Sequence, residues 1–265
     1  MHPSMRTFIE YAIRSHLHLA SFCFIYVFGL YSTNTNAWIY ALMLSLGILG
    51  IYNAHRLWKD YTNDLPDYIL DWLSTNRFSV IIISTCSSAG ALFLYLSFFW
   101  QYRGIHMLTG FAVTLSFFYV YRLRRYNLRE IPYLKIFLVF LIWFFLLHYL
   151  PFLIFGKLVY PINGAILLFA ILIPSDMKDV SFDPLHMRTI PQVIGIKRSL
   201  LLLRTLVSLG VLNALIVPSL HTKAWLIGFI YLFGLTFFYQ RINERYYFSW
   251  IDLGFLIVGV AIILT

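Results

Sequence analysis

Nine long apolar runs set the main limit on how this chain of 265 residues can fold. Each run has about 17 to 22 residues, the length with which an α-helix crosses the hydrocarbon core of a membrane. Hydrophobic residues make up 60% of the chain and charged residues 12%, a balance that excludes a soluble domain. We therefore expect a single all-α, polytopic membrane domain over residues 1–265. Its spans are predicted at residues 15–32, 37–53, 78–99, 105–121, 136–155, 158–175, 199–217, 223–240 and 248–265.

Basic residues lie almost entirely on one side of the expected membrane. If the nine runs alternate in direction, sixteen lysines and arginines fall in segments on one side and three on the other. The positive-inside rule then places the N-terminus in the cytoplasm and the C-terminus outside. This topology and the attraction to anionic lipid headgroups account for the net charge of +9, so the charge does not indicate a nucleic-acid partner.

Polar residues gather in the cytoplasmic segments that follow the second, fourth and sixth runs. The outer links are short, and Asp252 is an exception among runs that otherwise contain almost no carboxylates. A pore or a transport site at the midplane needs polar groups through the depth of the bilayer. The distribution therefore disfavours a channel or a transporter and favours a polar site on the cytoplasmic face.

Three aspartates follow the sixth run within eight residues: Asp176, Asp179 and Asp183. On a helix these offsets place the carboxylates within about 60° of one another, on one face. Carboxylates this close repel one another at neutral pH unless a cation lies between them, and such oxygen ligands suit Mg²⁺. The alternative is a solvated polar loop between two membrane helices. Basic residues that could hold anionic oxygens follow nearby: Lys178, Arg188, Lys197 and Arg198.

Residues 176–195, DMKDVSFDPLHMRTIPQVIG, resemble the second aspartate motif of the UbiA superfamily of intramembrane prenyltransferases, whose best-known type is 4-hydroxybenzoate polyprenyltransferase. The family motif has the pattern Asp-x-x-Asp-x-x-x-Asp, followed by a basic residue, Thr-x-Pro and a glycine. The nine-run layout and the position after the sixth run are also similar to the family. The resemblance implies a UbiA-like helical bundle. It is carried by Asp176, Asp179, Asp183, Arg188, Thr189, Pro191 and Gly195.

The resemblance implies Mg²⁺-dependent transfer of a prenyl group from a prenyl diphosphate to a lipid-soluble, typically aromatic, acceptor in the membrane. In this family the metal and nearby basic residues stabilise the departing diphosphate, which leaves an allylic cation in an apolar cavity. Carried over to this chain, it makes Arg188 a diphosphate contact. The implied Mg²⁺ ligands and catalytic residues are Asp176, Asp179 and Asp183.

The first aspartate motif of the family, Asn-Asp-x-x-Asp-x-x-x-Asp, is not intact after the second run. Asn53 is present, but the three positions where the family has aspartates carry Ala54, Leu57 and Tyr61. A catalytic protein with this departure needs another source of metal ligands or of positive charge. A non-catalytic relative that binds an isoprenoid lipid or a partner protein is the alternative.

Two replacements for the missing motif remain open. The metal ligands can have moved by about one helical turn to Asp60 and Asp64, or Arg56 can supply positive charge where a metal has been lost. We expect Asn53 and Arg56 to face the site and contact the diphosphate or its metal. Lys59 is a further cation at this end of the second run.

The segment after the fourth run, YVYRLRRYNLREIPYLK, is the most basic part of the chain. Arg122 and Arg124 are candidates to reach the diphosphate from the side. An aromatic belt with positive-inside anchors is the alternative for the same residues.

Overall fold

The computed structural model describes residues 3–62, 65, 67–121, 128–180, 183, 185–217, 219–239 and 244–265. Within these residues the chain forms helices and turns without a β-strand. The helices are α1 (Pro3–Arg14), α2 (Leu17–Tyr31), α3 (Ala37–Tyr61), α4 (Asp67–Leu94), α5 (Arg103–Val120), α6 (Leu134–Phe144), α7 (Leu150–Phe155), α8 (Pro161–Asp179), α9 (Ile190–Ile194), α10 (Ile196–Ile216), α11 (Thr222–Leu235) and α12 (Glu244–Leu264).

Several of these helices have the length and apolarity of a membrane span. Five described stretches meet both requirements: Ala37–Tyr61, Ile69–Phe99, Leu134–Phe155, Pro161–Asp179 and Ile196–Ile216. A sixth arises if Phe8–Arg14 and Leu17–Tyr31, which meet at 74°, are counted as one broken span. The apolar parts of the last two helices, Thr222–Leu235 and Ser249–Leu264, are shorter. The fold is therefore an all-helical membrane protein, and nine spans stay a prediction.

The first long helix lies beside the last one. Helix α2 packs against α3 and α12, α12 against α11, α11 against α10, and α10 against α8, which also contacts α6. The interior of this arrangement is rich in aromatic side chains. The largest fully buried ones are Trp225, Tyr26, Tyr31, Tyr40, Phe99, Phe229 and Phe255.

Two glycines allow α2 and α12 to approach closely. A Cβ atom on Gly29 would lie 2.7 Å from the carbonyl oxygen of Gly259, and a Cβ on Gly259 would lie 2.7 Å from backbone atoms of Ile25 and Tyr26. Small residues permit such backbone contact between helices in a membrane, where van der Waals packing drives association. A side-chain hydrogen bond joins the same helices, with His18 Nε2 3.1 Å from Asp252 Oδ2.

We expect Gly259→Val to lower the free energy of unfolding by about 1–3 kcal/mol, because the side chain would push α12 away from α2. Thermal unfolding of the detergent-solubilised protein, followed by tryptophan fluorescence, measures the loss. Gly110→Val in α5 is the matched control, since a Cβ there meets nothing within 4 Å. Equal melting temperatures for the two variants would contradict the close approach.

A π-helical turn at Phe145–Tyr149 connects α6 to α7 and carries the buried His148. His148 Nδ1 lies 3.3 Å from the carbonyl oxygen of Val159, which can only accept a hydrogen bond. Nδ1 therefore carries the proton, and Nε2 accepts from the Tyr26 hydroxyl at 3.1 Å. The Tyr31 hydroxyl donates to the His148 carbonyl oxygen at 3.2 Å. The wider turn is thus stabilised by hydrogen bonds inside the bundle.

Candidate functional site

The three predicted aspartates converge on one ammonium group, that of Lys135 at the start of α6. Lys135 Nζ lies 2.9 Å from Asp176 Oδ1, 3.1 Å from Asp179 Oδ2 and 2.5 Å from Asp183 Oδ2. Arg129 adds a second cation, because its Nη2 donates to Asp183 Oδ1 and lies 3.8 Å from Asp179 Oδ2. We call these five residues the charged cluster.

Helical phase brings the aspartates together as their spacing predicts. Asp176 and Asp179 lie in the last turn of α8, and the Asp183 backbone N–H donates to the Asp179 carbonyl oxygen at 2.7 Å. Lys135 is placed from the other side, where the Tyr133 backbone N–H donates to the Met187 carbonyl oxygen at 3.0 Å. The start of α6 is therefore attached to the segment that follows the aspartates.

The charged cluster is mostly shielded from solvent. The Lys135 side chain is 7% exposed and that of Asp183 is 1% exposed, whereas Asp179 is 25% exposed and marks the open side. Buried charges are stable only when they are paired and hydrogen-bonded. Burial alone would lower the pKa of Arg129, but the Tyr119 phenol and the carboxylates of Asp183 and Asp179 raise it above its ordinary value. Arg129 therefore remains a cation.

Lys59 and Tyr119 complete the surroundings of the charged cluster. Lys59, in the last turn of α3, interacts electrostatically with Arg129, Asp179, Lys135 and Asp183. Tyr119, near the end of α5, interacts in the same way with Lys135, Arg129, Asp176 and Asp179. Helices α3, α5 and α8 thus end, and α6 begins, at a shared site that is rich in cations.

The cluster does not fit the Mg²⁺ ion that the resemblance implies. Each of the three carboxylates already places an oxygen against Lys135 Nζ, so a dication at the point of convergence would meet an ammonium. Across the described residues, no group of three His, Cys, Asp or Glu side chains is arranged to hold a metal ion. Asp176 Oδ2 is buried and has no hydrogen-bond partner among the described residues.

Asn53 and Arg56, expected at a diphosphate, lie against the turn between α1 and α2. Asn53 is fully buried, and its Nδ2 donates to the carbonyl oxygens of Ser15 at 2.9 Å and Leu49 at 2.8 Å. Arg56 Nη2 lies 2.9 Å from His16 Nε2, and the guanidinium is 5.4 Å from the centre of the Trp72 ring. Both side chains therefore connect α3 to neighbouring helices.

We expect Asn53→Ala to lower the free energy of unfolding by about 1–3 kcal/mol, because the Ser15 carbonyl oxygen would lose its buried donor. Affinity for a prenyl diphosphate should stay unchanged if the role of Asn53 is structural. Thermal unfolding and equilibrium binding on the same preparation separate the two effects. A loss of affinity without a loss of stability would return Asn53 to the ligand site.

The remaining predicted residues are dispersed. Asp60 Oδ2 forms a surface ion pair with Arg77 on α4 at 3.3 Å. Arg188 is exposed and donates from Nη1 to the Tyr133 hydroxyl at 3.3 Å, beside the turn that precedes α6. Three candidates lie outside the described residues, namely Asp64, Arg122 and Arg124.

The Thr-x-Pro part of the motif forms the start of α9 and holds the aspartate segment. Thr189 is the N-cap residue, and its backbone N–H donates to Gln192 Oε1 at 3.0 Å. Gln192 Nε2 in turn donates to the Asp183 carbonyl oxygen at 2.9 Å. The two parts of the motif are therefore linked, since one carries the carboxylates and the other positions Asp183.

Lys135 is the central residue that the sequence analysis missed, because it was counted only as a positive-inside charge. Its sequence signal is a lysine directly before a long apolar run, where a buried ammonium needs anionic partners. In comparisons with protein-family models, curated proteins and solved structures, nothing matches this chain. The function is therefore inferred from the geometry and charges of the site.

Proposed function

We propose that this protein binds a prenyl diphosphate beside the charged cluster and transfers the prenyl group to a lipid-soluble acceptor within the membrane. The proposal is supported chiefly by one observation, the contact of Lys135 with three aspartates and of Arg129 with Asp183 at one end of an apolar bundle. Lys59 interacts electrostatically with Asp179 and Asp183 there. A ligand with an anionic head and an apolar tail suits a polar site next to membrane helices. We place this end of the bundle on the cytoplasmic side, following the distribution of basic residues.

In this proposal the cations have separate tasks. Lys135 holds the aspartates in place, while Arg129 and Lys59 stabilise the negative charge that develops on the diphosphate. The bond between the allylic carbon and the diphosphate oxygen breaks, and both electrons remain on that oxygen. The acceptor then forms a bond to the allylic carbon and releases a proton to water. The planar guanidinium of Arg129 suits contact with two phosphate oxygens at once.

We place the tail in a shallow, open groove along the last turns of α3, the helix that also carries Lys59. It has a volume of about 320 Å³ and is lined by residues of α3 and α4 and by Tyr121. Trp58, which precedes Lys59 in the chain, lines the groove and lies 4.4 Å from Tyr121 between ring centres. Aromatic faces of this kind also stabilise an allylic cation through their quadrupoles.

Turnover of a radiolabelled prenyl diphosphate tests this proposal. The purified protein in lipid nanodiscs receives geranylgeranyl diphosphate or a longer homologue together with a lipid-soluble acceptor extract. We expect release of diphosphate and transfer of label to an acceptor. Absence of turnover would overturn the proposed transfer, and absence of saturable binding as well would overturn the proposed ligand. Arg77→Gln is a control for nonspecific charge effects, because Arg77 is 59% exposed and lies outside the charged cluster.

A non-catalytic relative that binds an isoprenoid lipid or a partner protein is the second candidate. Two observations favour it. The first motif has no aspartate at Ala54, Leu57 or Tyr61, and every aspartate of the second motif is already paired with Lys135. In the same experiment this candidate predicts saturable binding of the prenyl diphosphate without release of diphosphate.

A further inference from the structure

We propose that the Lys135 ammonium is a built-in replacement for a divalent cation, so that the carboxylate site binds no Mg²⁺ while Lys135 is present. The corollary is that removing this side chain creates a divalent-cation site from Asp176, Asp179 and Asp183. The proposal about cation binding depends only on the geometry of the charged cluster. The expectation that ligand binding needs no metal rests, in addition, on the proposed function.

The N–H donors of Lys135 match the carboxylate acceptors around them in number. An ammonium has three N–H groups, and Lys135 Nζ has three carboxylate oxygens from three different residues within 3.1 Å. Every donor therefore has an anionic acceptor. This arrangement does for the aspartates what a metal ion does, because it places a positive charge at their common centre.

Both sides of the contact between Lys135 and the aspartates are held by hydrogen bonds. Tyr133 holds the start of α6 through the carbonyl oxygen of Met187, and Gln192 holds Asp183 through its carbonyl oxygen at 2.9 Å. A metal ion that displaced Lys135 would leave a buried ammonium without its three carboxylate acceptors. Uncompensated buried charge of this kind is strongly unfavourable, so a metal ion does not readily displace Lys135.

The formal charge of the charged cluster favours the same conclusion. Three aspartates with Lys135 and Arg129 carry a formal charge of −1, from −3 and +2. Without Lys135 the charge becomes −2, which one divalent cation cancels. The lost side chain would also leave a space lined by Asp176 Oδ1 and Asp183 Oδ2, next to Asp176 Oδ2, which has no hydrogen-bond partner among the described residues. Carboxylate oxygens are the ligands that Mg²⁺ and Mn²⁺ prefer.

Titration with Mn²⁺, followed by electron paramagnetic resonance of the free ion, tests the inference without any prenyl ligand. We expect no Mn²⁺ site that Mg²⁺ can displace in the wild-type protein. Lys135→Ala should bind one Mn²⁺ per chain with an affinity about tenfold or more above any nonspecific binding to the wild type, and Mg²⁺ should displace it. Its melting temperature should rise with Mn²⁺, whereas that of the wild type should not.

Three variants make the result specific. Lys157→Ala, at an exposed lysine outside the charged cluster, should behave as the wild type. Lys135→Ala combined with Asp179→Asn should lose the new site. If Lys135→Ala does not fold, Lys135→Gln removes the same charge with less loss of volume and is read in the same way.

Two results would overturn the inference. One is a wild-type Mn²⁺ site that Mg²⁺ displaces and that Asp183→Asn abolishes. The other is a folded Lys135→Ala or Lys135→Gln protein that binds no Mn²⁺. Binding of prenyl diphosphate in the presence of a chelator is measured separately. Failure of that binding would count against the proposed function, and the Mn²⁺ result would be unaffected.

Discussion

Asp183→Ala is expected to lower the free energy of unfolding by about 3–5 kcal/mol, because it removes one partner from a buried network of charges. Asp183 is the most buried of the three aspartates and contacts both cations, Lys135 and Arg129. Its loss would leave the ammonium with two acceptors and the guanidinium with Asp179 at 3.8 Å. Thermal unfolding in detergent, followed by tryptophan fluorescence, measures the change.

Asp60→Ala is the matched control for this substitution. Asp60 also pairs with an arginine, but Arg77 is 59% exposed, and surface pairs contribute about 0–1 kcal/mol. If Asp183→Ala were no more destabilising than Asp60→Ala, the charged cluster would not be a stabilising network.

Arg129→Gln is expected to reduce prenyl transfer by about 10²–10³-fold with a much smaller effect on ligand affinity. A donor that faces developing negative charge stabilises the transition state more than the bound substrate, and losses of this size follow the removal of one such donor. Single-turnover kinetics and equilibrium binding, measured on the same nanodisc preparation, separate the two quantities. The prediction applies to the transferase proposal and has no counterpart in a lipid-binding relative.

Arg188→Gln is the natural comparison, because the resemblance to the UbiA superfamily assigns the diphosphate contact to Arg188. In the structure Arg188 is exposed and donates to Tyr133, whereas Arg129 lies in the charged cluster. We therefore expect a small effect from Arg188→Gln. A larger loss of transfer for Arg188→Gln than for Arg129→Gln would show that the diphosphate contacts Arg188 and not Arg129.

Local patterns predicted a large part of this structure. Each predicted run overlaps a described helix, and five of the described stretches have the length and apolarity of a membrane span. The meeting of Asp176, Asp179 and Asp183 was also predicted from their spacing, although Asp183 lies beyond the end of α8 and is linked to it by a hydrogen bond to the Asp179 carbonyl oxygen.

Long-range partners were beyond the reach of the same reasoning. Lys135 lies 44 residues before Asp179, and nothing in its own neighbourhood indicates which carboxylates it meets. The contact of Asn53 could not be predicted either, since its partner Ser15 is 38 residues away and is contacted through a backbone carbonyl oxygen. Such contacts depend on how helices pack, and a single sequence does not contain that information directly.

The contact between α2 and α12 has a consequence for the order in which the protein assembles. Gly29 and His18 are synthesised long before their partners Gly259 and Asp252, which lie on α12. His18 and Asp252 are separated by 234 positions in the chain. His18 therefore meets Asp252 only after α12 has been made. Of the hydrogen bonds that the His18 side chain forms among the described residues, a chain that stops short of α12 keeps only the one to the Ala12 carbonyl oxygen.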